Sequence, residues 1–273
     1  MGSASADTPS GDMDRQYHIG LGPGEVAPWI ILVGDPGRAR RLSHQFDSIR
    51  VERSHREYVT FTGSWRGRDT TLMATGMGCD NTEIAVMELL QCVRHPVLLR
   101  VGSSGGLQEN QNVGDLVIST GALRLENTSL GFVDPGFPAV AHHEVVLALI
   151  SAAEDLKVSY HTGITATAPG FYGWQGRKGQ ILEPRDPDLP ARLGRMGVAN
   201  MEMETSTLFT LATLAGVRAG AVCAIFANRP RGTFIEPDAM EEAEDLAFSV
   251  AGQAIDRLSA MDEAAGGGSF HLP

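Results

Sequence analysis

Two glycine-rich loops with an arginine beside each carry the clearest chemical signal in this sequence. They are GDPGR at residues 34–38 and RVGSSGG at residues 100–106, and each follows or ends an apolar run. Glycine lets backbone N–H groups turn inward around an anion, and arginine offers a two-donor fork that matches phosphate oxygens. Neither loop has the Walker A or the Gly-x-Gly-x-x-Gly pattern of nucleotide-binding loops. They therefore predict a small-anion site, although either loop alone could be an ordinary tight turn.

Two acidic side chains lie two residues apart in NMEMET at residues 200–205. If this segment is extended, Glu202 and Glu204 project to one face, because side chains alternate along a strand. Neighbouring buried carboxylates need hydrogen-bond donors, and a sugar diol supplies them. The alternative is that both acids belong to a helix N-terminus, where the helix dipole favours negative charge.

A third segment, FYGWQGR at residues 171–177, combines aromatic rings with a Gln and an Arg. The Phe171 ring can stack on a planar heterocycle, the Gln175 amide can both donate and accept, and Arg177 can donate to carbonyl oxygens. The alternative is a hydrophobic loop with a surface arginine. Arg56, in SHREY at residues 54–58, is a further cation, and its alternative is a solvated Arg–Glu pair worth about 0–1 kcal/mol.

The elements that must position these loops are short apolar runs that alternate with helical patterns. The predicted strands are 29–33, 71–74, 97–101, 116–118, 163–167 and 221–227, and the predicted helices are 82–93, 143–156, 205–215 and 237–261. This alternation predicts a single-domain α/β fold with a central mixed, mostly parallel β-sheet flanked by helices. In such folds the active site lies at the carboxyl ends of the strands.

The composition indicates a folded chain that does not bind nucleic acid. Of 273 residues, 42% are hydrophobic and 20% are charged, and the net charge of −11 argues against a nucleic-acid binder. No apolar run approaches the roughly 18–20 residues that span a bilayer, and the N-terminus lacks an apolar signal-peptide core, which predicts a cytoplasmic protein without a membrane partner. The three cysteines lack metal-like spacing and are expected to be reduced and buried. Residues 1–15 and 263–273 are predicted to be flexible tails around a body at 16–262.

From about residue 17 to residue 258, the order and spacing of the motifs resemble the nucleoside phosphorylase family of the hexameric bacterial type, closest to its uridine phosphorylase branch. The segments that carry the resemblance are HIGL 18–21, GDPGR 34–38, SHREY 54–58, TGMG 75–78, LRVGSSG 99–105, NVGD 112–115, FY 171–172, Gln175 with Arg177, NMEME 200–204 and NR 228–229. The resemblance implies a catalytic domain at 16–262 and a homohexamer, a trimer of dimers. It also implies active sites shared between subunits.

The resemblance implies a role for each matched position. Phosphate would be bound by Gly34, Arg38, Arg100 and Ser103, with Arg56 reaching over from a neighbouring subunit. The ribose would be bound by Met203 and Glu204, and by the neighbour's His18 at the 5′-hydroxyl. The base would lie among Phe171, Gln175, Arg177, Glu202 and Arg229, with Glu202 orienting Gln175 and Arg177. The residues expected to take part in catalysis are Arg100, Gln175, Arg177 and Glu204.

The reaction implied is direct attack of inorganic phosphate on C1′ of uridine, without a covalent enzyme intermediate, to give uracil and ribose 1-phosphate. The transition state has oxocarbenium character, so the phosphate anion both stabilises it and attacks it. Gln175 and Arg177 would stabilise the charge on the leaving uracil. Purine-cleaving relatives place an aspartate in the stretch that corresponds to residues 224–229, AIFANR, which has no carboxylate. Neither an organic cofactor nor a metal is expected, and phosphate is the co-substrate.

Three departures from the family pattern qualify this prediction. Ser103 stands where the uridine enzymes carry Thr, which keeps the hydroxyl. Asn81 stands where a Ser helps to bind a monovalent cation between subunits, although Glu57 is kept, so that cation stays an open alternative. The segment 174–188 diverges and contains Pro184 and Pro187, which predicts an altered lid around the base.

Three other functions remain open at this point. The first two are a purine nucleoside phosphorylase and a nucleosidase of the same fold that uses water. Nucleosidases lack the phosphate arginines that this chain has at positions 38, 56 and 100. The third is a catalytically weak nucleoside-binding protein, which an altered lid would suit.

Overall fold

An 11-stranded sheet and six helices make up residues 15–266, the part of the chain that the computed structural model describes. The strands are β1 Trp29–Val33, β2 Ser48–His55, β3 Tyr58–Trp65, β4 Arg68–Ala74, β5 Val97–Gly106, β6 Leu116–Arg124, β7 Ala139–Val140, β8 Tyr160–Thr167, β9 Asn200–Glu202, β10 Arg218–Asn228 and β11 Thr233–Phe234. The helices are α1 Pro36–Ser43, α2 Cys79–Cys92, α3 His143–Asp155, α4 Leu189–Arg195, α5 Thr205–Ala215 and α6 Pro237–Ala264.

The sheet is mixed, and part of it closes on itself. Its strand order is β11-β10-β6-β8-β9-β5-β1-β4-β3-β2, with β7 on β6, and an additional β10–β5 pairing closes five strands into a ring. The long β10–β5 and β6–β8 ladders are parallel, as are the pairs of β1 with β4 and β5. The predicted fold class, a single-domain α/β fold with a mixed sheet flanked by helices, is confirmed.

The antiparallel share of the sheet is larger than the sequence suggested, because the ladder from β2 through β3 to β4 was not predicted. β2 is an exposed edge strand of largely polar residues, so it shows no apolar alternation. In β3 the inward positions include Thr60 and Thr62, both fully buried, and a threonine there gives no hydropathy signal. Their β-branched side chains nevertheless suit a strand.

Continuous apolar runs arise because helices cover both faces of the central strands. Ile31, Val33 and Leu99 pack in one core cluster, whereas Ile30 and Leu98 pack in another on the opposite face. Successive side chains of a strand point to opposite faces, so a strand that is buried on both sides must be apolar throughout. This is why β1 and β5 could be recognised in the sequence.

The helix boundaries differ from the predicted ones mainly at the ends. α5 has the predicted bounds, α2 begins three residues early at Cys79, and α6 continues to Ala264. The C-terminal tail predicted from residue 263 therefore overlaps the end of α6. The rest of that tail from 267 on, and residues 1–14 of the N-terminal tail, lie outside the described residues. Arg15, the last residue of the predicted N-terminal tail, donates two 2.7 Å hydrogen bonds to Glu25.

The described part of the chain contains no helix long and apolar enough to cross a membrane.

The three cysteines are free and buried, as the sequence predicted. Burial raises the pKa of Cys92 to about 11 and that of Cys223 to about 12, so both thiols stay protonated at neutral pH.

Candidate active site

A cavity of about 290 Å³ lies beside the carboxyl ends of β1 and β9 and along β5. This is the edge at which the fold class predicts a binding site. Its wall contains most of the site residues predicted from the sequence, namely Gly34, Arg38, Arg100, Ser103, Phe171, Gln175, Arg177, Glu202, Met203 and Glu204. Stretches far apart in the sequence are therefore brought together around one space.

Arg100 lies in this wall and pairs with both acids of the 200–205 segment. Its Nε donates to Glu202 Oε2 at 2.9 Å, and its Nη2 lies 2.5 Å from Glu204 Oε2. A Cβ at position 102 would lie 2.8 Å from Arg100 Nη2, so only glycine lets the guanidinium fold back in this way. Burial by itself lowers the pKa of Arg100, but the two carboxylates more than offset it, and the net shift is upward. Arg100 is a permanent cation.

Glu202 holds Arg100 and the backbone before α5. Its oxygens accept hydrogen bonds from Arg100, from the Thr167 hydroxyl at 2.6 Å, and from the N–H groups of Glu204 and Thr205 at 2.9 and 3.0 Å. Within residues 15–266, Glu202 makes no hydrogen bond to Gln175 or Arg177, so its implied role of orienting them stays a prediction. The nearer cation and two N–H groups take up its acceptor capacity.

Glu204 is the other acid beside Arg100 and immediately precedes α5. Its Oε1 accepts the N–H of Gly78 at 2.7 Å. Burial raises the pKa of Glu204, and the Arg100 charge opposes that shift. The two alternatives drawn from the sequence are thus compatible: the acids lie at a helix start, and they also line the cavity, where protein donors satisfy them.

Arg38 occupies the first turn of α1, which the hydropathy pattern did not predict because the helix is rich in arginine. The Asp35 carboxylate caps this helix by accepting the N–H groups of Gly37 and Arg38 at 2.9 and 3.1 Å. The cap fixes the backbone from which Arg38 reaches the cavity wall. Its Nη2 lies 2.6 Å from Glu244 Oε1, and its buried Nε has no hydrogen-bond partner in residues 15–266.

A second group of polar side chains in this wall comes from the loop after β8. The guanidinium carbon of Arg177 lies 3.7 Å from the centroid of the Phe171 ring, and its Nη2 donates to Gln175 Oε1 at 3.4 Å. Burial lowers the pKa of Arg177, and the nearby Arg229 charge lowers it further. A half-buried arginine with a weak acceptor is suited to meet an electron-rich oxygen of a ligand.

Arg229 lies behind this group rather than in the wall of the first cavity. It borders a neighbouring cavity of about 580 Å³, and its Nη2 donates to the Gly176 carbonyl oxygen at 3.3 Å. Because Gly176 lies between Gln175 and Arg177 in the chain, Arg229 supports the loop that carries both. Burial lowers the pKa of Arg229.

The divergent segment 174–188 packs onto the back of the same loop. A Cβ on Gly176, which has a φ of +59°, would lie 2.9 Å from both the Pro187 carbonyl oxygen and Pro190 Cδ. Pro184 follows Ile181 and Leu182, which are fully or largely exposed. Pro187 and Pro190 therefore pack against the loop from outside the first cavity.

His18 and Arg56 do not line the first cavity, but they lie close to each other. His55 Nδ1 is 2.7 Å from the His18 carbonyl oxygen, and the Arg56 guanidinium lies over the Tyr17 ring at 4.7 Å. His18 Nδ1 is 2.7 Å from Glu88 Oε1, which leaves Nε2 of the ring unoccupied by that contact. We call Tyr17, His18, His55 and Arg56 the His18–Arg56 patch.

Several cavity residues escaped sequence reasoning. They are Asp35, Met77, Met201, Phe226 and Phe234. The apolar ones fall within or beside runs that read as ordinary core, so no local signal marks them. Asp35 belongs to the predicted loop 34–38, and the Asp-Pro-Gly sequence is itself a signal for a helix cap at this position.

The residues at the expected cation position also lie together. A Cβ on Gly76 would be 2.6 Å from Asn81 Nδ2 and 3.6 Å from Glu57 Cγ. Within residues 15–266, no group of three or more His, Cys, Asp or Glu residues could hold a metal ion.

Comparison of the sequence with known proteins identifies the family of the chain. The sequence profile of the Phosphorylase superfamily matches residues 28–260. A uridine phosphorylase of Thermococcus kodakarensis is 43% identical over 263 residues, which cover 95% of this chain and 92% of the relative. A uridine phosphorylase of Escherichia coli is 34% identical, covering 89% of this chain and 97% of its own length.

A guanosine phosphorylase of Halorubrum lacusprofundi is also 34% identical, over 86% of this chain and 92% of the relative. These relatives span nearly the full chain, and the profile covers the elements that build the cavity, from β1 to α6. The chain therefore belongs to the Phosphorylase superfamily.

Proposed function

We propose that this protein catalyses the phosphorolysis of uridine by inorganic phosphate, giving uracil and ribose 1-phosphate. The observation that carries the proposal is the arrangement of one cavity: Arg38 and Arg100 line it together with Gln175 and Arg177, with the acids Glu202 and Glu204 in the same wall. Two of the relatives reported above are uridine phosphorylases, which supports the same substrate.

In this mechanism a phosphate oxygen attacks C1′ while the bond from C1′ to N1 of uracil breaks. Arg38 and Arg100, with Ser103 and the backbone at Gly34, hold the phosphate beside the sugar, where its charge stabilises the oxocarbenium-like transition state. The C–N bonding electrons pass into the uracil ring and its carbonyl oxygens. Gln175 and Arg177 stabilise that charge by hydrogen bonds, so the leaving base needs no general acid.

The ribose would be held by Glu204 and Met203, with Phe171 against the base. Glu204 is already fixed by Gly78 and Arg100, so a sugar hydroxyl that donates to it meets a preorganised acceptor. Arg229 would act on the base through the loop that it supports. Neither an organic cofactor nor a metal takes part in these steps, and a monovalent cation near Glu57 and Asn81 would serve only the contact between subunits.

A nucleoside panel tests the reaction. We expect uridine to be cleaved only when phosphate is present, with ribose 1-phosphate and uracil formed in equal amounts. Equal cleavage in phosphate-free buffer would identify a nucleosidase, and tight uridine binding without turnover would identify a binding protein. Preferred cleavage of guanosine would contradict the proposed base.

Guanosine is the second candidate substrate, because one relative at 34% identity is a guanosine phosphorylase. The stretch 224–229 contains no carboxylate that could protonate a leaving purine, and its Phe226 contributes an apolar side chain to the cavity. Uracil needs no such proton, so this wall favours the pyrimidine. We therefore expect guanosine to react much more slowly than uridine.

We further propose that the active form is a homohexamer, a trimer of dimers, in which the His18–Arg56 patch completes the neighbour's cavity. The patch lies outside the cavity of its own chain. Glu88 accepts from the backbone N–H groups of His18 and Ile19 and contacts His18 Nδ1, so His18 is held with Nε2 available for the ribose 5′-hydroxyl. We also propose that the enzyme acts in the cytoplasm, in pyrimidine salvage.

Mixing two inactive variants tests the shared site. Arg56→Ala and Arg100→Ala each inactivate every site of their own assembly. In a mixed dimer, however, one site carries both changes and the other carries neither. Co-expression should therefore restore about a quarter of wild-type activity, since about half of the dimers are mixed and half of their sites are intact.

The matched control pairs Arg100→Ala with Gln175→Ala, which lie in the cavity wall of the same chain. In a mixed dimer of these two, each site lacks one of the two residues, whichever chain supplies the patch. One site would then hold Arg100→Ala and the other Gln175→Ala, so little activity returns. Failure of the first mixture to exceed the second would contradict site sharing.

A further inference from the structure

Glu244 on α6 contacts the arginine that faces the cavity without lining the cavity itself. Its Oε1 lies 2.6 Å from Arg38 Nη2, and its Oε2 accepts from Arg41 Nη2 at 2.7 Å. Arg38 and Arg41 are three residues apart on α1 and therefore lie on the same helix face. One carboxylate thus bridges two cations and joins α1 to α6.

Burial makes this contact decisive for Arg38. The side chains of Arg38 and Glu244 are only 9% and 12% exposed. The carboxylate nearest in sequence, Asp35, is taken up by the N–H groups of α1. Arg41, by contrast, is more exposed and has further partners, Asp245 and Glu241. Without Glu244, the Arg38 guanidinium would lose its counter-ion and would turn toward water, because a buried unpaired charge is costly.

We propose that Glu244 is a positioning residue that sets the affinity of the site for phosphate by holding Arg38. Glu244 binds the guanidinium at Nη2, while Arg38 itself lines the cavity and its Nε has no hydrogen-bond partner in the described part of the chain. This inference rests on the proposed function, since it assumes that Arg38 binds the phosphate that reacts. The C-terminal helix thereby takes part in the chemistry although none of its residues lines the cavity.

The negative charge of Glu244 weakens phosphate binding, whereas its contact with Arg38 strengthens it. Two variants separate these effects. Glu244→Ala removes the acceptor, so Arg38 loses its orientation. Glu244→Gln keeps an oxygen at the same reach to accept from Arg38 but removes a negative charge near the anion. Both variants lose the ion pair with Arg41, so both should lose some thermal stability.

The experiment measures the Kd of inorganic phosphate by calorimetry on the full chain, and the KM values of phosphate and uridine. We expect Glu244→Ala to raise the Kd and KM of phosphate about tenfold. This is the effect expected when one oriented charge-assisted hydrogen bond to phosphate is lost. The KM of uridine should change less than about threefold, and Glu244→Gln should stay within about threefold of wild type for phosphate. Glu241→Ala is the control. Glu241 is largely exposed, and its Oε2 lies 4.0 Å from Arg41 Nε, so it makes at most a weak contact with α1.

A wild-type Kd of phosphate in Glu244→Ala would overturn the assignment. An equal loss in the Ala and Gln variants, or a parallel rise in the KM of uridine, would do the same, because a purely structural tie between α1 and α6 predicts those results. A different result would contradict the proposed function: the wild-type chain would bind phosphate but cleave no nucleoside. The calorimetric comparison of the variants would still decide the role of Glu244.

Discussion

Arg100→Ala should abolish measurable phosphorolysis, with kcat/KM for phosphate reduced by at least about 10³-fold. Removing one preorganised donor from a developing charge costs about 10²–10³-fold, and Arg100 also contributes a positive charge beside the phosphate. Arg100 is the cation that both Glu202 and Glu204 contact, so the variant also loses the order of the ribose-binding acid. Steady-state kinetics with phosphate as the varied substrate measure the effect.

The same substitution leaves two buried carboxylates without their counter-ion, which costs about 3–5 kcal/mol of stability. A second variant, Arg100→Lys, separates folding from chemistry, since it keeps a positive charge but not the two-donor fork that spans Glu202 and Glu204. We expect Arg100→Lys to fold and still to lose about 10²-fold in kcat/KM for phosphate. Arg40→Ala is the control: Arg40 is an exposed arginine of α1 that contacts the Pro36 carbonyl oxygen. A folded Arg100→Lys protein with near-normal phosphate kinetics would contradict the assignment.

Gln175→Ala should lower kcat/KM for uridine about 10- to 100-fold while the KM of phosphate changes less than about threefold. Gln175 is 4% exposed and lines the cavity, and its Oε1 accepts a 3.4 Å hydrogen bond from Arg177 Nη2. Leaving the polar groups of a buried base without a hydrogen-bond partner costs about 1–3 kcal/mol, which corresponds to this loss. The phosphate arginines Arg38, Arg56 and Arg100 lie on α1, between β2 and β3, and on β5, not on the loop of Gln175.

The comparison of uridine with guanosine adds a second measurement on the same variant. If Gln175 reads the pyrimidine, the ratio of kcat/KM for uridine over guanosine should fall, because a site loses selectivity when the group that pairs with the preferred base is removed. Gln253→Ala, at a partly exposed glutamine of α6 that contacts Asp155 and does not line the cavity, is the control. A defect confined to phosphate would show that the 171–177 loop does not hold the base.

Local patterns predicted most of the elements that position the site. The apolar runs of β1 and β5 are complete because both faces are buried, and the α5 pattern gave the helix bounds. Glycines and arginines in the 34–38 and 100–106 loops marked the anion-binding residues by type. Patterns failed where a polar segment is held by tertiary contacts, as in β2 and in arginine-rich α1. There the Asp35 cap and pairing with β3, not hydropathy, determine the structure.

The partners of each charged side chain could not be read from the chain. Glu202 was expected to orient Gln175 and Arg177, but it holds Arg100, because strand pairing places β9 beside β5. Nothing near Glu244 in the sequence points to Arg38, which lies more than 200 residues away and meets it only because α6 packs near α1.

Sequence patterns therefore predicted the class of fold and which residue types form the site. Glycine conformations, arginine forks and two-sided burial are properties of a few neighbouring residues, so a local pattern shows them. The tertiary structure alone decided which carboxylate neutralises which arginine, and that His18 and Arg56 share a patch outside their own cavity. The reason is physical: the strength of an ion pair depends on distance and burial, and both are set by packing between distant segments.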